Sequence, residues 1–202
     1  MWEGYLNAID EFIVEHPTLN ANLVADRFHV AKQYRGCVDT GRKQEMKRLR
    51  KLLTEEDYKA LTDRIHWVLR RNHANLDKDE RARLRRLFEQ SPKLHQAYTL
   101  REELTAIFNA SFDVQTGRRR LQAWADKAER LAPTYFGTFI KLLRNRLDII
   151  ANYFDRRASS GFVEGLNNKL KLIVRRGYGI KRTDSLFRRL WLDTAGYRTL
   201  IG

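Results

Sequence analysis

Cysteine is nearly absent from this 202-residue chain, where Cys37 stands alone. One cysteine excludes an internal disulfide and any cysteine-based zinc site within one chain, and it suits a reducing cytoplasm. Proline (3) and glycine (11) are also scarce. So little punctuation argues against a turn-rich all-β architecture and for long helices. No apolar run approaches the roughly 18 residues a bilayer-spanning helix needs, so no membrane partner is expected. The opening residues, MWEGYLNAID, lack a basic n-region and an apolar h-region, so no secretory leader is expected. Acidic residues are short as well: 25 Asp and Glu face 39 Lys and Arg, giving a net charge of +14 and a pI near 10.1. Such a surplus calls for an acidic partner, nucleic acid first and an anionic membrane surface second.

What is present is enough for a core. Hydrophobic residues make up 43% of the chain, which suits one folded domain, or one domain with an insertion. In MWEGYLNAIDEFIVEH, the spacing of Trp2, Tyr5, Ile9, Phe12 and Ile13 predicts an amphipathic helix that stops before Pro17. That helix begins with no capping residue ahead of it, which suggests missing upstream sequence. The apolar run Leu23 to Ala25, ending in Asp26, is the best strand candidate. A lone strand cannot satisfy its own edges, which again suggests a missing neighbour.

From about residue 30 to 155 the pattern predicts helix nearly throughout. Thr54 and Asp77 are expected N-caps, with acids following Thr54 and arginines ending its helix. Further amphipathic helices are expected from KLHQAYTLREELTAIFNA, DVQTGRRRLQAWADKAERLA and TYFGTFIKLLRNRLDIIANYF. No internal repeat or low-complexity segment interrupts them.

A last helix, over about 161–176, sets Val163, Leu166, Leu170, Ile173 and Val174 along one stripe. Glu164, Asn168, Lys171 and Arg175, at i, i+4, i+7 and i+11, share the opposite face. From Lys169 to Arg189 there are eight Lys and Arg against one acid, Asp184, with Tyr178, Phe187 and Trp191 nearby. Cations interleaved with aromatics suit phosphate and base contacts. A carboxylate at the head of so basic a face needs a reason.

The segments VADRFHVAKQYR and SGFVEGLNNKLKLIVRRGYG resemble the C-terminal half of bacterial insertion-sequence transposases of the ISL-three family. NLDKDERARLRRLFEQSPKLHQAYTLREELTAIF resembles the helical insertion these enzymes carry before their last catalytic residue. The resemblance spans essentially the whole chain. It implies a DDE catalytic core of RNase H-like fold. Glu164 matches the family's catalytic, metal-binding glutamate, and Asp26 and His29 match its supporting D-x-x-H motif. In that family carboxylates hold two Mg²⁺ ions that activate a nucleophile and stabilise the leaving oxygen. Lysines and arginines beside such a carboxylate would neutralise the DNA backbone.

The family's first two catalytic aspartates lie upstream, the second just ahead of a segment like MWEGY. The chain is therefore expected to be a C-terminal fragment, inactive alone, that binds no Mg²⁺ by itself. The expected fold is mainly α: a remnant of the RNase H-like α/β core with one or few strands, plus an all-α insertion. Residues 1–35 would be core remnant, 36–155 the insertion, and 156–202 the C-terminal core helices. DNA contacts are expected from Asn168, Lys169, Lys171, Arg175, Arg176, Lys181 and Arg182. The expected partners are DNA at insertion-sequence ends, and either a second copy or an intact transposase. The expected location is the cytoplasm, on the nucleoid. The alternative is a non-catalytic module that binds DNA or transposase and inhibits the intact enzyme.

Several residues keep two readings. Asp26 and His29 could be a strand-end acid bonded to a core histidine, or could act in DNA handling. Asn167 and Asn168 could cap turns or touch DNA. The basic run 42–51 could be a solvated face or a DNA contact. Trp67, Trp124 and Trp191 fit a core better than base stacking. His66, His73 and His95 lack metal-like spacing, and Cys37 fits burial better than reactivity.

Overall fold

The structure is a computed structural model that describes residues 11, 14, 15, 23–157, 161–177, 179–180 and 182–193. Within 161–177, the side chains of 161–164, 166 and 167 lie outside the description. The described chain is mainly α, and no strand occurs among the described residues. It divides into two compact units, Met1–Ala158 and Ser159–Gly202. Of the expected N-terminal helix, residues 11, 14 and 15 are helical and the rest lies outside the described residues.

The first unit is organised by α1 (Arg27–Leu52). Asp26 starts it as an N-cap, its Oδ1 accepting the Phe28 N–H at 2.7 Å. Val30, Ala31, Tyr34, Val38, Met46 and Leu49 recur at helical spacing on the buried face of α1. That face packs against α5 (Pro92–Asn109) and α7 (Pro133–Asn145). The Tyr34 hydroxyl meets Thr105 Oγ1 at 3.1 Å, and its ring meets Phe139 edge-on at 5.9 Å. Gly41 lets α1 approach α7 closely, because a Cβ there would stand 3.2 Å from the Tyr135 ring.

Between α1 and α5 run α2 (Glu55–Thr62), α3 (Ile65–Val68) and α4 (Lys78–Gln90). Both expected caps are present. Thr54 Oγ1 accepts the Asp57 N–H at 3.2 Å. Asp77 accepts from Glu80 N at 2.8 Å while Glu80 accepts from Asp77 N at 3.0 Å, a complete capping box. Next, α6 (Val114–Leu131) lies against α7. Trp124 is buried between them, at 90° to Phe136, and donates to the Leu100 carbonyl at 2.9 Å.

Three expectations change. The helix expected from Thr54 to its closing arginines breaks at Asp63 and Arg64, the latter at φ 52°, into α2 and α3, and Arg70 and Arg71 follow α3 outside any helix. The strand candidate is no strand in its described part, residues 23–26. Among the described residues no strand lies beside it, and its backbone is satisfied from the helix Leu147–Ala151 and the turn that follows it. Ala25 N–H donates to the Ile149 carbonyl and Asn152 Nδ2 donates to the Leu23 carbonyl, each at 2.9 Å. The helix expected through TYFGTFIKLLRNRLDIIANYF is broken into α7, α8 (Leu147–Ala151) and α9 (Tyr153–Arg156). Ending α8 at Ala151 leaves the Ile149 carbonyl without a helical partner, which is the group Ala25 uses.

The second unit is a helix pair, α10 (Gly161–Arg176) and α11 (Thr183–Trp191). Gly177 and Gly179 turn the chain between them, Gly179 at φ 91°, a conformation that favours glycine. Ile173 is buried in this pair, and Gly177 N–H closes α10 on the Ile173 carbonyl at 2.8 Å.

Candidate functional site

Helix α10 carries the opposite-face pattern seen in the sequence. Asn168, Lys171 and Arg175 are exposed on it, and Lys169 and Arg176 beside them are exposed too. Arg182, ahead of α11, is also open to solvent. Among the described residues none of these five cations is held in an ion pair. By contrast, Arg189 is taken up by Asp193 at 3.1 Å. Unpaired guanidinium and ammonium groups on one helix pair are what an incoming phosphate backbone requires. Glu164 stands one turn before Asn168 in the backbone of α10; its side chain lies outside the described residues, as do Lys181 and the side chain of Asn167. The stripe behind this face is only partly covered: Ile173 is buried, while Val174 is 46% exposed.

Asp26 and His29 fall together in the first turn of α1, in the other unit. Asp26 is engaged as the N-cap. His29 is exposed and meets Phe28 edge-on at 5.9 Å, so the reading of it as a core histidine is corrected. Between them, Arg27 reaches the Tyr153 hydroxyl at 3.4 Å and bonds Asn109. Arg157 closes the end of α5 by donating to the Phe108 carbonyl at 2.8 Å. Burial raises the Tyr153 phenol, but Arg157 and Arg27 outweigh it and hold it below the ordinary tyrosine range.

The basic run 42–51 is largely engaged inside its own unit. Arg42 and Lys43 pair with Asp39 at 2.9 and 3.4 Å. Arg48 pairs with Glu45 at 2.9 Å and donates to the Gln90 carbonyl at 2.7 Å. Arg50 lies over the Tyr58 ring. Glu45 is buried and also accepts from Ser91 Oγ at 2.6 Å. Burial raises this carboxyl, but the bonds from Ser91 and Arg48 outweigh it and leave it below the usual glutamate range. Cys37 is half-buried, and burial pushes its thiol up to about 11, which keeps it protonated and unreactive. The tryptophans divide: Trp124 is core, whereas Trp67 and Trp191 are 59% and 52% exposed.

Sequence reasoning missed Arg101, which is 1% exposed. It donates to the Arg70 and Arg71 carbonyls at 3.0 and 2.8 Å and lies 4.5 Å over the Tyr98 ring. Its role is to hold the loop after α3, and only tertiary structure reveals it. Among the described residues, no three His, Cys, Asp or Glu side chains converge where a metal ion could sit.

A family model described as transposase, of the ISL3 group, matches residues 1–190. The transposase for insertion sequence element IS1001 of Bordetella parapertussis is 28% identical over 181 residues, which is 89% of this chain and 44% of that protein. The transposase for insertion sequence element IS1557 of Mycobacterium tuberculosis is 29% identical over 133 residues, 65% of this chain and 29% of the relative. The chain thus spans less than half the length of these curated relatives. No solved structure matches it.

Proposed function

The chain belongs to the ISL3 family of transposases, and from that premise we propose that it acts in DNA transposition as the segment carrying the last of three metal-binding carboxylates, Glu164. The observation that supports this most is the match over residues 1–190, which includes all of α10. In this reading Lys169, Lys171, Arg175, Arg176, Lys181 and Arg182 neutralise the DNA phosphates, and Asn168 donates to them. Glu164 shares their face because its ligand must lie at a phosphate. Asp26 and His29 are proposed to be the supporting D-x-x-H motif: Asp26 fixes the first turn of α1, and His29 follows it on the surface.

Magnesium is the ion of the assembled enzyme in this proposal. One carboxylate makes a poor site for it, and the described residues hold no ligand cluster of their own. The other two carboxylates are proposed to lie in the part of the relatives' length that these residues do not span, and residues 1–202 are proposed not to cleave DNA alone. The proposed setting is the cytoplasm, on the nucleoid, at insertion-sequence ends. No described helix is long and apolar enough to cross a membrane.

The test is a purified chain mixed with a duplex bearing a family terminal repeat. Binding should weaken steeply with salt, and added Mg²⁺ should produce no cleavage. Cleavage would overturn the fragment reading; absence of binding at low salt would overturn the DNA role. A second reading, pairing with an intact transposase, is favoured by Phe187 and Leu192, which stand 65% and 48% exposed at α11. It predicts inhibition of an intact relative that persists when DNA is in excess.

A further inference from the structure

Resting on that DNA reading, we propose a second, separate DNA surface: an open groove along α1 that holds the sugar-phosphate backbone of a duplex. The groove has a volume of about 440 Å³ and is lined by Phe28, Lys32, Arg35, Gly36, Asp39 and Arg70. The first five recur at i, i+4, i+7, i+8 and i+11, so one exposed face of α1 forms one wall. Arg70, from the turn after α3, forms the other.

Three observations point to a polyanion. Lys32, Arg35 and Arg70 are exposed, and among the described residues none of them is held in an ion pair. The one acid present, Asp39, is already taken by Arg42 and Lys43 on the same helix. The groove is therefore cationic without internal compensation, unlike the 42–51 run next to it.

The second observation is Gly36. Glycine inside a 26-residue helix lowers its stability relative to alanine. Two other helical glycines of this unit have a packing reason, Gly41 under Tyr135 and Gly117 under Phe154, while Gly137 in α7, like Gly36, has open space around its Cβ. At Gly36 a Cβ would meet nothing within 4 Å. Its lack of a side chain serves no internal contact and leaves the floor of the groove at backbone level, where a strand can approach closely. The third is the rim. Phe28 is 62% and Trp67 59% exposed, and Arg70 lies 5.9 Å over the Trp67 ring. Exposed ring faces beside cations suit the sugars of a nucleic-acid backbone rather than a bare ion.

The experiment is fluorescence anisotropy of a labelled 30-base-pair duplex with the whole 202-residue chain at several salt concentrations. The triple variant Lys32→Gln, Arg35→Gln, Arg70→Gln should flatten the log affinity against log salt slope by about 2–3 and weaken binding about tenfold or more near 0.1 M salt. A charge-matched triple away from the groove, Lys78→Gln, Arg130→Gln, Lys141→Gln, should change the slope by less than about 1. Gly36→Glu should weaken binding while keeping or raising helix content, which separates loss of the groove from loss of the fold. Unchanged affinity and slope in the groove variants, with the unaltered chain still binding, would overturn this groove and leave the function proposed above standing. No binding by the unaltered chain would overturn both. Groove-dependent binding to phosphatidylserine vesicles, with DNA binding unaffected by the same variants, would also overturn it.

Discussion

Replacing Gly117 by alanine tests the packing of the helical unit at its tightest point. Glycine to alanine in a helix normally stabilises by about 0.5–1 kcal/mol. Here the added Cβ would stand 2.2 Å from Phe154 Cδ2 and 2.7 Å from Cγ and Cε2. Carbon atoms in contact sit about 3.5–4.0 Å apart, so the ring would have to retreat by more than ~1 Å. It has nowhere to go: Phe154 is 4% exposed and stacked on Phe108 at 5.7 Å, with Phe112 and Tyr153 at 6.1 and 5.6 Å. Overpacking of this kind costs about 1–3 kcal/mol, which outweighs the helix gain. The expected result is a net loss of about 1–2 kcal/mol for Gly117→Ala, read from urea unfolding followed by circular dichroism. Gly36→Ala, with open space around its Cβ, should gain about 0.5–1 kcal/mol in the same assay. Opposite signs at two helical glycines are the signature. A Gly117→Ala chain as stable as the unaltered one would refute the close approach of α6 to α9.

Arg101→Met should destabilise the first unit by about 2–4 kcal/mol, because it removes the Arg101 donor from the Arg70 carbonyl and leaves the Arg71 carbonyl only the Tyr98 hydroxyl; urea midpoints measure it, and a loss below ~0.5 kcal/mol would count against the buried network. Glu45 has its carboxyl held below the usual glutamate range by the bonds from Ser91 and Arg48, so its contribution to stability is present above the unfolded-chain value and is lost as pH falls through the lower folded one. The urea-midpoint gap between the unaltered chain and Glu45→Gln should therefore be constant near neutrality and shrink below about pH 4.5; a gap that widens in acid would contradict the assignment. Lys171→Gln with Arg175→Gln should reduce the salt slope of duplex binding by up to about 2 without changing helix content; an unaltered slope would remove α10 from the interface.

Local chemistry was legible in the sequence where a residue acts on its own helix. Thr54 and Asp77 were readable as caps because an N-cap bonds to residues two or three positions on. The face shared by Asn168, Lys171 and Arg175 was readable from helical spacing alone. What needed a distant partner was not. Leu23 to Ala25 looked like a strand because an apolar run carries no period, and only Ile149 and Asn152 decide where its backbone bonds go. The break before α8 was hidden for the same reason. The 42–51 run looked like an open cationic face, yet Asp39, Glu45 and the Gln90 carbonyl occupy much of it. The groove was invisible because Arg70 reaches it from another element than Lys32 and Arg35. Glu164 was marked as a candidate by resemblance to a family; its helical register says only which face it shares.

In the proposed function Glu164 is the third of three metal-binding carboxylates, and the other two are proposed to lie in the part of the relatives' length that these residues do not span. The DNA immediately upstream of the Met1 codon tests it most directly. The expected result is an aspartate codon just before that position and a second one further upstream, in frame or displaced by a single disruption. An upstream sequence that encodes no such pair in any frame would contradict it.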